Sequence, residues 1–287
     1  PVEQYLGRWH LPPSQYDNNL VTLRRLLSHT AGIEDGLGHQ GFTHPDDVQP
    51  LESHLTQAND AGPNASGKVI VTAPPGQQWS YSGGSYNLIQ LIVEEVSGMT
   101  FVDYMKQAVF TPLGMKNTGF VPNRPGQDWA QYFGENQELL PYPYYTSLAA
   151  TGMYSSVNDL VQFAQSQLPS NVRKVPSLSI LSDDALAQMR APLAAVDGMA
   201  IWGAGVILFA PTDIGNYVVG HGGLNPFNNA SVRINPDTGN GFVMLQTGNE
   251  AAFASDMGSQ WTLWETGRPD LYMVNNGIGA VAIRALI

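Results

Sequence analysis

The 287-residue chain contains no cysteine. This removes thiolate catalysis, cysteine-based zinc sites and disulfides from consideration and leaves the redox compartment open. Charge is scarce as well: only 13% of residues are Asp, Glu, Lys or Arg, against about 25% in an ordinary globular chain. Within that small set acids outnumber bases by 24 to 13, a formal net charge of −11. Such a balance disfavours nucleic acid or an anionic membrane surface as the main partner. Long hydrophobic runs are also lacking. The most apolar stretch, Gly277 to Ile287, is interrupted by Arg284 and falls well short of the roughly 20 residues that span a bilayer. It is expected to form an apolar tail, residues 271–287, that would begin a membrane helix if the natural chain continued. No basic and then apolar leader is seen at Pro1, so any targeting segment is expected to have been removed or to lie upstream.

What remains is a foldable core: 43% of residues are hydrophobic, enough for a globular body of one or two domains that needs no metal or disulfide staple. Thr22 can cap a short helix whose Leu23, Leu26 and Leu27 share a face, with Gly32 placed to end it. From Glu34 to Gln78 the chain is rich in Gly, Pro, Asn, Asp and His, which predicts a long surface excursion with one strand, Lys68 to Thr72. The broad apolar pattern of Tyr86 to Val96 predicts a buried helix stopped by Gly98. Capping boxes at Thr100 with Asp103 and at Ser156 with Asp159 predict helices over Phe101 to Phe110 and onward to about Leu168. After about Met199 the pattern turns to strands: Ile201 to Phe209, Tyr217 to His221, Ala230 to Ile234 and Phe242 to Gln246. A last helix, Ala251 to Thr266, is placed to lie across that antiparallel meander. The fold class is therefore α/β in the broad sense (α+β), a helical lobe inserted into an antiparallel sheet.

Several constellations have chemical potential. Trp79-Ser80-Tyr81-Ser82-Gly83-Gly84 stands directly before the buried helix and puts a phenol near the positive end of its dipole, where losing a proton is easier. A locally satisfied turn tyrosine would fit the same spacing. Gly220-His221-Gly222-Gly223-Leu224 ends a strand with glycines that let a ligand approach backbone N–H groups, although a strand-end bulge looks the same. His29, His39, His44 and His54 lie among acids, but no pair has metal-ligand spacing. Asn64-Ala65-Ser66 and Asn229-Ala230-Ser231 fit the glycosylation sequon. Gly83-Gly84-Ser85-Tyr86-Asn87 approximates a nucleophile elbow, with Asp213 and His221 following in triad order. That alternative is an α/β-hydrolase esterase with Ser85 as nucleophile, against which stand Asn87 at the fifth position and Pro74-Pro75-Gly76 where an apolar strand is needed.

Taken together, several segments resemble the serine β-lactamase and penicillin-binding protein family, in its class C-like branch with esterases and D-amino-acid peptidases. They are Leu26-Leu27-Ser28-His29-Thr30-Ala31-Gly32-Ile33, Pro75-Gly76 with Tyr81-Ser82-Gly83-Gly84, Phe110-Thr111-Pro112-Leu113-Gly114-Met115, Thr151-Gly152-Met153-Tyr154-Ser155-Ser156, Trp202-Gly203-Ala204-Gly205 and His221-Gly222-Gly223, in family order. The resemblance implies a β-lactamase/transpeptidase-like domain over residues 1–270, no cofactor, and a small ester, peptide or β-lactam as substrate. It also implies an extracytoplasmic location, periplasmic, secreted or membrane-anchored. Tyr81 matches the tyrosine of proton transfer, His221 stands where the third motif has Lys or His, and Gly223 and Leu224 follow, with the Leu224 N–H at the oxyanion position. Gly83 replaces the Asn of the Tyr-x-Asn motif. The family's nucleophile belongs to a Ser-x-x-Lys helix, and none of Lys68, Lys106, Lys116 and Lys174 has Ser three residues before it. Two accounts follow: the N-terminal strands and nucleophile helix are a missing segment of the same protein, or the chain is a non-catalytic binding pseudoenzyme. The aromatic residues Trp129, Tyr132, Tyr142, Tyr144 and Tyr145 are expected either to line a leaving-group pocket or simply to pack.

Overall fold

Helices begin in this chain where the sequence offers a capping hydroxyl. Thr22 Oγ1 accepts the Arg25 amide at 3.3 Å and opens α1, Leu23–Leu27. A computed structural model describes residues 1–275 except 35, 38, 123–127, 226–227 and 249–251, so the tail from 276 to 287 lies outside the described residues. The chain divides into two compact units, Pro1–Trp129 with Pro141–Ser155, and Ala130–Leu140 with Ser156–Ile287.

In the first unit α2, Leu51–Thr56, lies inside the stretch expected as a surface excursion. That expectation is corrected: Leu37, Leu51, Leu55, Ala58, Val69 and Val71 are buried together with Leu26, Leu88 and Leu91. Isolated apolar residues among turn residues show no periodicity, yet each one fully buried stabilises by about 1.5–3 kcal/mol. The strand expected at Lys68 to Thr72 is only an isolated bridge, Ile33 to Val71. The buried helix α3 spans Gly83–Ser97, starting three residues before the apolar pattern, because Ser82 Oγ accepts the Ser85 amide at 3.0 Å. Gly98, at φ +67°, ends it as expected. Thr100 caps α4, Phe101–Met105, and Lys106–Phe110 continues as a π turn where one uniform helix was expected.

The second unit opens with α5, Val157–Ser166, capped by Ser156, and α6, Asp183–Arg190, capped by Ser182. Six strands follow: β1 Ala194–Val196, β2 Met199–Trp202, β3 Ile207–Pro211, β4 Tyr217–Asn225, β5 Asn228–Ile234 and β6 Gly241–Thr247. They form one antiparallel sheet in sequential order, so the expected meander is present, and every named strand lies C-terminal to the helices α1 to α6. The helix α7, Phe253–Thr266, packs on β3, β5 and β6. Beneath it Arg233 of β5 is fully buried, its guanidinium 3.8 Å from the Phe209 ring centre, paired with Asp270 and hydrogen-bonded to Thr262. Among the described residues β6 has a strand on one side only. No helix of the described residues is long and apolar enough to cross a membrane.

Candidate active site

Tyr81 comes immediately before the N-cap of α3 and is 42% exposed. Its place is set from below by His29, which is buried and held at φ +56° in the turn that closes α1. The Ser80 amide donates to the His29 carbonyl at 2.9 Å, and the Ser82 amide donates to His29 Nδ1 at 3.0 Å. Tyr81 is thus bracketed by two hydrogen bonds to one residue, and its ring lies against the imidazole, 4.4 Å between centres. Because Nδ1 accepts, neutral His29 has its proton on Nε2. Tyr86, one turn into α3, also touches His29 and donates its hydroxyl to the Leu27 carbonyl at 3.1 Å. Burial, with the nearby Tyr81, pushes the Tyr86 phenol far up and keeps it protonated. The neighbouring turn is tied in as well: Thr72 and Ala73 amides donate to the Gly32 carbonyl, and the Gly76 amide to that of Thr30. A Cβ on Gly83 would lie 1.9 Å from His39 Nε2, so the Asn of the resembling motif would require the His39 imidazole to move.

In the second unit His221 lies within β4, which continues to Asn225; the expected strand end at His221 is corrected by four residues. Gly220 makes this possible, because at φ +156° a Cβ would lie 1.9 Å from the Val232 carbonyl oxygen. The pairing of β3 with β4 stops at Gly220, whereas β5 follows β4 to Asn225. N–H groups alternate between the two edges of a strand, so over 221–225 one set faces an edge that β3 does not cover. The Leu224 side chain is 65% exposed there. His221 shares a hydrogen bond between Nδ1 and the Gly222 carbonyl and packs edge-on to Trp202, ring centres 5.5 Å apart. Burial holds its pKa below the usual value, opposed by the Gly222 hydrogen bond. His221 is therefore a neutral imidazole at neutral pH, where a Lys in the same motif would be a cation.

The Ser85 alternative is corrected. Ser85 sits within α3, not on a strand-to-helix turn, and is 1% exposed with its hydroxyl buried. Asp213 is an exposed residue paired with Arg268 at 3.0 Å. Of the clustered histidines, His54 is buried and bonded to Asp60 at 2.7 Å, and among the described residues no three potential ligands converge on a metal position. Asn229 is buried and donates to the Gly223 carbonyl at 2.8 Å, so that sequon is closed. Trp129 and Tyr142 form an aromatic trio with Tyr154, ring centres 5.6 to 5.7 Å apart. The role of His29 is what sequence reasoning missed. Its signal was the turn between α1 and Gly32, but the Ser82 amide that it accepts lies 53 residues further on.

The chain has an α+β fold with one six-stranded antiparallel sheet, and the comparisons with known proteins place that fold. The family model for beta-lactamase matches residues 1–260, and the chain belongs to that family. It is 32% identical over 124 residues to penicillin-binding protein 4* of Bacillus subtilis, covering 40% of this chain and 24% of that protein. To penicillin-binding protein 4 of Amycolatopsis lactamdurans it is 28% identical over 253 residues, covering 83% of this chain and 62% of that one. The chain thus spans less than two thirds of the length of these relatives. The fold is also that of a D-stereospecific amidohydrolase from Streptomyces sp., with TM-score 0.64 at 20% identity over 89% of this chain and 76% of the other.

Proposed function

We propose that the chain is the tyrosine- and histidine-bearing part of a serine hydrolase that cleaves an ester or amide through an acyl-enzyme. The observation that carries this is Tyr81, exposed at the capped start of α3 and bracketed by His29, in a chain of the beta-lactamase family. In the proposed cycle Tyr81 takes the proton of the attacking serine as that oxygen bonds to the substrate carbonyl carbon. It then returns the proton to the leaving group as the ester or amide bond breaks. Water attacks the acyl-enzyme by the same route in reverse. The Leu224 N–H is assigned to the uncovered edge of β4, as a donor to the developing oxyanion. His221, neutral, holds a lone pair on Nε2 when Nδ1 donates to Gly222. The nucleophile is placed outside these residues, because no Ser-x-x-Lys occurs among them. Gly83 and a neutral His221 favour an ester or a D-amino-acid peptide over a β-lactam.

The test is fluorophosphonate labelling of the full-length natural protein, with the adduct located by mass spectrometry. An adduct on a serine of a Ser-x-x-Lys helix outside this chain is expected. Labelling at Ser85, or unlabelled protein that still binds ester or peptide ligands reversibly, would sink the proposal, the second outcome in favour of a binding pseudoenzyme.

A further inference from the structure

A groove of about 520 Å³ opens on the first unit, where Trp9 meets the exposed side of α2. Its size lies in the range of roughly 300–1,000 Å³ within which small-molecule sites fall. Trp9 packs partly against the buried core, and its indole Nε1 donates to Thr56 Oγ1 at 3.0 Å, so the ring is fixed beside the helix. The polar side chains of the groove are held as well. Gln49 spans α2: its Nε2 donates to the Gln57 carbonyl at 3.2 Å and its Oε1 accepts the Asn59 amide at 2.6 Å. Gln57 Nε2 donates to the Ser66 carbonyl at 3.3 Å, which leaves Oε1 as an acceptor. Glu52 is paired with Arg8 at 2.8 Å. Ser53 and Asn59 are exposed, and their side chains bond to no other described residue.

The chemistry of this lining is narrow. Among the described residues it offers one aromatic side chain, hydroxyls, amides and a single carboxylate, with no aliphatic side chain and no lysine. An apolar ligand would find only the indole to bury against. An anion is disfavoured too, because Arg8 is shared by Glu52, Glu94 and Glu95, three carboxylates to one guanidinium. A pyranose ring meets both demands, since it presents a C–H face to an aromatic ring and hydroxyls that donate and accept. We propose that this groove is a binding site for a neutral oligosaccharide, with one sugar ring against Trp9 and its hydroxyls bonded to Ser53, Gln57, Asn59 and the outer oxygen of Glu52. Side chains already fixed by Thr56, Gln49 and Arg8 lower the ordering cost of such binding. The site lies apart from Tyr81 and adds a second function to the chain.

The test is isothermal titration calorimetry of the full-length natural protein with cellotriose, chitotriose and maltotriose, and with trigalacturonate as the anionic counterpart. At least one neutral trisaccharide is expected to bind. Trp9→Ala should weaken that binding by about tenfold or more, as loss of an anchoring Trp does, and Ser53→Ala/Asn59→Ala by about fivefold or more. Trp264→Ala, which removes an exposed indole on α7, should bind as the wild type does. Trigalacturonate should bind at least about tenfold more weakly than the neutral sugar. Trp9→Ala also loses core packing, so where circular dichroism shows it unfolded the exposed Ser53 and Asn59 pair decides. Binding of no neutral trisaccharide, wild-type affinity in Ser53→Ala/Asn59→Ala, or trigalacturonate bound as tightly as the neutral sugar overturns the proposal. Calorimetry reads binding without hydrolysis, so a protein inert towards esters can still bind the sugar and an active hydrolase can fail to.

Discussion

Two tyrosines lie against His29, and their surroundings give the hydroxyls different work. Tyr86 is buried, donates to the Leu27 carbonyl and is held protonated, whereas Tyr81 is exposed beside the start of a 15-residue helix. Tyr81→Phe in the full-length protein should therefore slow acylation by about 10²-fold or more. Unfolding free energy should stay within about 0.5 kcal/mol of wild type, as at other surface positions. Stopped-flow acylation and urea unfolding check the two halves. His29→Ala should behave otherwise, because it leaves the Ser82 amide without its acceptor and should cost about 1–3 kcal/mol. If His29 acts by positioning Tyr81, the His29→Ala/Tyr81→Phe double variant will be no slower than Tyr81→Phe alone. Multiplying rate losses would mean an independent role. Tyr81, Gly83 and His221 stand out in the sequence as candidates because each belongs to a local motif that resembles one of the family's. His29, His39 and Asp60 do not, because their significance comes from partners brought together by folding.

Strands and helices repeat this division. The meander was legible from alternation, but the expected strand Ile201 to Phe209 is two, β2 and β3, separated at Gly203-Ala204-Gly205. Gly205 is at φ +81°, and a Cβ on Gly203 would lie 2.2 Å from the Met189 carbonyl oxygen, a contact with α6 that no local pattern reveals. The extension of β4 past His221 was hidden in the same way, since it depends on β5 outlasting β3. That extension gives the oxyanion proposal a sharp test. Leu224→Ala keeps the N–H and should change kcat little, while Leu224→Pro removes it and should cost about 10² to 10³ in kcat. Circular dichroism must first show both variants folded. A folded proline variant that acylates at the wild-type rate would place the oxyanion elsewhere. A second element-level expectation concerns the face of β5 under α7. Asp270→Asn leaves the Arg233 charge buried without its counter-ion and should destabilise by about 3–5 kcal/mol in urea unfolding. A loss under about 1 kcal/mol would mean that Thr262, Ser259 and the Phe209 ring suffice.

For the molecule as a whole, acidification acts through two groups in separate pH ranges. Burial depresses the folded-state pKa of His221. Between the unfolded value of about 6.5 and that lower one, the unfolded chain binds a proton that the folded chain does not, so stability must fall as pH falls through this range. Asp60 works lower down. Burial opposes its ionisation, but the hydrogen bond and charge of His54 outweigh this and hold its pKa below the usual carboxylate value. Its contribution is fully present above about pH 4 and is lost as pH falls through the depressed value. A third effect runs the other way: protonation relieves the self-repulsion of a chain with net charge −11, which should stabilise the folded state on mild acidification. A fall in stability between about pH 7 and 5 would thus oppose the charge trend, and the depressed pKa of His221 contributes to it. Urea unfolding at half-unit pH steps should show that fall in the wild type and a shallower one in His221→Gln. Asp60→Asn should remove the limb below about pH 4 and lower stability at neutral pH by about 1–3 kcal/mol, because the Gly41 amide and His54 lose a carboxylate hydrogen-bond partner. If His221→Gln keeps the wild-type slope between pH 7 and 5, the imidazole is not held neutral by burial. The proposed neutral Nε2 at the third motif then fails with it.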